Sequence, residues 1–154
     1  MKLKLLALAA AGALAAFAGT GPAHSVQPAG GACAIGLAAE ADGESFEMAG
    51  RAEGAAQAAL VQQTGRNFAQ AAARLCTARV LSAANLRPYR KLLVRNAEAA
   101  TEPNIYDDAE EQPGALIIEY VFESAAPSAA QIERALRCWR SPQLAGCQVE
   151  DVGP

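Results

Sequence analysis

Residues Ala115–Glu123 read ALIIEYVFE, and this stretch decides the fold. Leu116, Ile118, Tyr120 and Phe122 alternate with Ile117, Glu119, Val121 and Glu123. Successive side chains of a strand point to opposite faces, so period two predicts a strand with one wholly apolar side. Such a side must be buried against something. The next segment supplies it: Pro127 and Ser128 open a helix, and Ser128 with Gln131 makes a capping box. Ile132, Ala135, Leu136 and Trp139 then recur at helical spacing as a buried stripe, and Pro142 ends the helix.

Working toward the N-terminus, Lys91–Ala97 (KLLVRNA) reads as a second strand. A polar, acidic segment of about 15 residues separates it from the strand at 115, long for a connection inside a domain. From Glu53 to about Arg79, Leu60, Thr64, Phe68, Ala72 and Leu75 recur every three or four positions, the pattern of a long amphipathic helix. Gly65 costs that helix roughly 1 kcal/mol relative to Ala, which predicts a weak point or break. Ser82–Leu86 reads as a turn or short helix closed by Pro88. Nearer the start, apolar residues alternate at Cys33, Ile35 and Leu37 and again at Phe46 and Met48, with the turn dipeptide Asp42-Gly43 between. These predict a hairpin of strands 33–38 and 45–51.

The expected order is therefore β-β-α-β-β-α. It implies a small α+β domain over residues 33–154, with an antiparallel sheet and the helices on one face.

Residues 1–25 have a different character. Lys2 and Lys4 precede 14 uncharged residues, Leu5–Ala18, followed by Gly19-Thr20-Gly21-Pro22 and Ala23-His24-Ser25. A charged start, an apolar run and small residues at the −3 and −1 positions predict a secretory signal peptide cut before Val26. A membrane-spanning helix needs roughly 20 apolar residues, so the run is short for an anchor. The first cysteine, Cys33, lies too far from the apolar run for lipidation. Residues 26–32 (VQPAGGA) form a loose lead-in. The expected location is outside the cytoplasm, in the periplasm or beyond the cell.

Export sets the reading of Cys33, Cys76, Cys138 and Cys147. Four cysteines in an oxidising compartment predict two disulfides. Cys138 and Cys147 flank a return loop containing Pro142 and Gly146, which favours pairing them and leaves Cys33 with Cys76. No CxxC occurs, so neither a redox pair nor a zinc knuckle is indicated.

Signal cleavage also removes His24, the only histidine. That excludes Ser-His-Asp and Cys-His catalysis, and a histidine general base, from the mature chain. Without Lys2 and Lys4, 11 basic residues face 16 acidic ones, a net charge of −5, which argues against nucleic acid as partner. No cofactor motif is present.

Three groups of residues remain as candidates. The acidic segment carries Asp107, Asp108, Glu110 and Glu111, oxygen ligands of the kind a hard cation takes, but without EF-hand spacing. The basic group contains Arg87, Arg90, Lys91 and Arg95, with Arg134, Arg137 and Arg140 stepping by three along the last helix. Tyr89 and Tyr106 fall on expected loops beside them, and arginine with tyrosine is the usual composition of binding hot spots. Arg87, Tyr89, Arg90, Tyr106, Arg134 and Arg137 are thus the candidate partner-binding residues. The function expected is that of a non-enzymatic envelope protein that binds another protein, as accessory subunit or inhibitor. The first alternative is a protein binding a small ligand, anion or metal. A carboxylate-based cell-wall hydrolase is the second, and geometry disfavours it. Glu119 and Glu123 stand roughly 13 Å apart along a strand, whereas that chemistry needs two acids within ~5–10 Å.

Overall fold

The computed structural model describes residues 37–48, 54–98, 102–121 and 125–147. The expected signal peptide, the lead-in, Cys33 and the start of the first expected strand lie outside the described residues. None of the helices described is long and apolar enough to cross a membrane.

Strand β1 is Ala38–Ala41, followed by helix α1 (Gly43–Met48), the long helix α2 (Ala55–Thr77) and the short helix α3 (Ala83–Leu86). Then come β2 (Lys91–Asn96), β3 (Asn104–Asp107), β4 (Ala115–Tyr120) and the last helix α4 (Ala129–Arg140). The four strands form one sheet in the order β1-β2-β4-β3.

This sheet is mixed, where the sequence predicted an antiparallel one. β1 runs parallel to β2, with Ala39 opposite Leu92, and β2 runs parallel to β4, with Leu92 opposite Leu116. Only β3 is antiparallel, placing Ile105 opposite Ile118 and Tyr106 opposite Ile117. The chain between β1 and β2 contains α2, and a connection with a full helix is what a parallel pair requires. β3 itself lies inside the acidic segment expected to be a loop.

The expected hairpin is also corrected. Within the described residues its first arm coincides with β1 only at Ala38, and residues 45–48 of its second arm are helical. Asp42 does not start a hairpin turn: its carbonyl accepts from the Phe46 N–H at 3.3 Å and from the Ser45 hydroxyl at 2.8 Å. Those bonds wind Gly43–Met48 into α1 and drop Phe46 into the core, where it is 1% exposed.

The core forms on one face of the sheet. Leu92 and Val94 of β2, Leu116, Ile118 and Tyr120 of β4, and Ile105 of β3 meet Val61, Phe68 and Leu75 of α2 and Ile132 and Leu136 of α4. Both long helices therefore cover the same face, as a half-apolar sheet requires. On the opposite face Leu93, Ala115 and Ile117 form a smaller cluster against Tyr106.

α2 is unbroken at Gly65, and the reason is packing. A Cβ built on Gly65 lies 2.8 Å from the Ala39 Cβ, so the missing side chain is what lets α2 lie close against β1. One residue earlier, the Thr64 hydroxyl donates to the Leu60 carbonyl at 2.9 Å and lies 2.6 Å from the Tyr120 hydroxyl. Burial pushes the Tyr120 phenol up to about 12, with Thr64 partly offsetting it. α4 begins as the sequence predicts: Ser128 and Gln131 exchange side-chain and backbone hydrogen bonds in a capping box.

Candidate functional site

The sequence pattern placed Trp139 on the buried stripe of α4. Ile132, Ala135 and Leu136 are buried as expected, but Trp139, at the last turn, is only partly covered. It is held from three directions. The Tyr89 ring meets it edge-on, with centroids 5.9 Å apart and planes at 67°, a favourable aromatic geometry. The Arg140 guanidinium carbon stands over the indole 5.6 Å from its centroid, within cation–π range. On β3, the Asp107 carboxylate accepts a long hydrogen bond of 3.4 Å from the indole Nε1.

The three supports come from separate elements. Tyr89 lies between α3 and β2, where its N–H bonds the Leu86 carbonyl; Asp107 is the last residue of β3; Arg140 is the last of α4. Burial, and next the Asp107 charge, raise the Tyr89 phenol above its ordinary range, while Arg140 opposes that shift. The ring therefore stays neutral at physiological pH. Immediately before Trp139, Cys138 forms a disulfide with Cys147 (Cα–Cα 5.1 Å), as the loop spacing predicts. The bridge closes the turn 141–146, which exposes Leu144. Cys76 is not a free thiol. Its expected partner, Cys33, lies outside the described residues.

The other candidate residues separate into distinct environments. Arg87 and Arg90 flank Tyr89 in sequence and are exposed, and the Arg90 N–H bonds the Gly114 carbonyl at 2.8 Å. Tyr106 is on the opposite face of the sheet, not on a loop. Its hydroxyl accepts from Arg95 at 3.0 Å, and Arg95 in turn donates to Asp42 at 2.6 Å. Burial, then the charge of Glu119, raise the Tyr106 phenol, and Arg95 lowers it. Arg134 pairs with Glu102 at 3.0 Å, and Arg137 pairs with Glu133 one turn back at 2.9 Å. Tyr106, Arg134 and Arg137 therefore already have partners within the fold, and they do not join Tyr89.

The acidic residues do not converge either. Asp107 faces Trp139, while Asp108 accepts from the N–H groups of Glu110 and Glu111, which shapes the turn into β4. Among the described residues, no group of three or more His, Cys, Asp or Glu side chains is placed to hold a metal ion.

What the arrangement provides is a partly exposed aromatic pair with the Arg140 guanidinium over the indole and Arg87 and Arg90 exposed near Tyr89 in the chain. The sequence singled out Tyr89 as a contact candidate and assigned Trp139 to the buried stripe. The available signal was position: Trp139 is followed within three residues by Pro142, so it had to fall in the final, incompletely covered turn. The chain matches no known protein-family model, no curated protein sequence and no solved structure.

Proposed function

We propose that this chain is an exported, disulfide-stapled binding domain that recognises another envelope protein, as an accessory subunit or an inhibitor. The observation that carries this reading is the presentation of Trp139. A tryptophan held by Tyr89, Arg140 and Asp107 has little rotamer freedom left to lose on binding, and such preorganised aromatic anchors dominate interface energies. The adjacent disulfide limits the motion of the neighbouring turn in the same way. In this reading the signal peptide is removed before Val26, and Cys33 closes a second bridge with Cys76. Intact mass before and after reduction tests both points.

The functional test is cross-linking capture from envelope extract with the oxidised mature chain as bait. One reproducible partner is expected, lost with Trp139→Ala and retained with Arg134→Glu/Arg137→Glu, whose arginines are engaged with Glu102 and Glu133. Capture of nothing, or equal capture by Trp139→Ala, overturns the proposal.

A further inference from the structure

The basic side chains on the second half of the chain divide into two classes. Lys91, Arg95, Arg134 and Arg137 each pair with a carboxylate, of Glu40, Asp42, Glu102 and Glu133 respectively. Arg87, Arg90 and Arg140 make no ion pair among the described residues. All three lie next to the aromatic pair in the chain: Arg87 and Arg90 bracket Tyr89 in sequence, and Arg140 follows Trp139 and stands over its ring. Arg74 and Arg79 likewise make no ion pair among the described residues, but they lie at the end of α2, where the helix dipole favours a cation.

Acids are available at the same end of the sheet. Asp107 ends β3, and Asp108, Glu110 and Glu111 lie in the turn that leads to β4. Asp107 is taken up by Trp139, and Asp108 by the backbone of its own turn. Among the described residues, Arg87, Arg90 and Arg140 thus have no carboxylate partner, and Arg140 lies over the indole, in a chain whose overall charge is negative. Planar guanidinium groups form two-point hydrogen bonds with carboxylates, and aromatic faces beside them exclude water from those bonds.

We infer that the surface formed by Arg87, Tyr89, Arg90, Trp139 and Arg140 binds an acidic peptide segment, displayed by its partner protein. This inference rests on the proposed function and specifies the chemistry of the partner. Carboxylate side chains of the segment meet the three guanidinium groups while its backbone lies across Trp139. The acidic turn at 108–111 repels the segment on that side and so restricts its approach.

The test uses the full oxidised chain and a fluorescein-labelled hexaglutamate peptide, followed by anisotropy, with hexalysine as control. Trp139, the only tryptophan, reports the location of binding through its emission. Saturable binding of hexaglutamate that perturbs Trp139 is expected, with weakening as salt shortens the Debye length from ~30 Å to ~8 Å. Arg87→Gln/Arg90→Gln, at two exposed positions with no side-chain bond among the described residues, is expected to weaken it about tenfold or more. Absence of binding, an equal response to hexalysine, or unchanged affinity in the double variant overturns the inference. Such a failure alongside a Trp139-dependent capture leaves the binding function intact with a partner that is not acidic. Loss of both removes the function as well.

Discussion

Replacing Gly65 by alanine sets two effects of opposite sign against each other. In an isolated helix the change is favourable, by roughly 1 kcal/mol. Here the new methyl carbon lies 2.8 Å from the Ala39 Cβ. Carbon atoms pack at about 3.5–4.0 Å, so α2 and β1 must separate by roughly 0.7–1.2 Å. The Ala39 Cβ is fixed to the strand backbone and has no rotamer to escape into. The displacement therefore passes to α2 as a body, which also packs against β2 and α4. Overpacking of this kind costs about 1–3 kcal/mol, so the net expectation is a loss of about 1 kcal/mol. For a domain of about 120 residues that lowers Tm by about 4 °C.

Urea unfolding of the oxidised chain, followed by circular dichroism and Trp139 fluorescence, measures the effect. The decisive form is a double-mutant cycle with Ala39→Gly, which removes the atom that Gly65→Ala would strike. Each single variant is expected to be less stable than the parent, and the pair should recover about 1–3 kcal/mol relative to the sum of the two losses. A Gly65→Ala chain as stable as the parent, or more so, refutes the close-approach argument and leaves Gly65 as a mere weakness in α2.

Three further outcomes follow from the same structure. The Tyr120 phenol, raised from 10.0 to about 12 chiefly by burial, remains neutral in the fold at pH values where the unfolded chain ionises. Stability is therefore full below pH 10 and falls as pH rises toward 12, by at most about 2.7 kcal/mol; urea midpoints across that range should show a smaller fall in Tyr120→Phe. Arg95→Met leaves the Asp42 carboxylate without its guanidinium and should cost about 1–3 kcal/mol, whereas Arg134→Met, removing an exposed pair, should cost less than ~1 kcal/mol in the same denaturant assay. Cys138→Ser/Cys147→Ser opens a short loop and should cost about 2–3 kcal/mol at most while shifting Trp139 emission; an unaltered midpoint and spectrum would separate the bridge from the site.

Elements with a long apolar period were legible in the sequence, as was the short helix α3, but α1 and β3 were not. β4 and α4 each repeat their pattern over several residues, and a capping box marks the start of α4. α1 has only Phe46 and Met48 to report it, and two apolar residues separated by one polar residue fit a strand as well as a helix. β3 has only Ile105 and Tyr106 among acidic neighbours, so composition reads as loop. Strand direction is absent from periodicity altogether, because parallel and antiparallel strands alternate alike. That is why the mixed sheet was expected to be antiparallel. For the candidate site, Tyr89 was singled out by composition. Trp139 was not, since the same helical spacing describes a residue deep in the stripe and one emerging at its end.

β3, the least legible strand, is also the one that organises both sides of the site's end of the sheet. Its residues alternate, so Tyr106 points to the face away from the helices and Asp107 toward them. Tyr106 accepts from Arg95, which is already bound to Asp42, and thereby ties β3 to β2 across β4. Asp107 meets Trp139 and supports the aromatic pair from below. Two adjacent side chains of one four-residue strand thus link the Arg95 ion pair on one face to the presentation of Trp139 on the other. A slip of β3 by one residue would exchange these faces, moving the carboxylate away from the indole and Tyr106 away from Arg95. The orientation of Trp139 consequently depends on the register of β3, which the Ile105–Ile118 contact within the core holds in place.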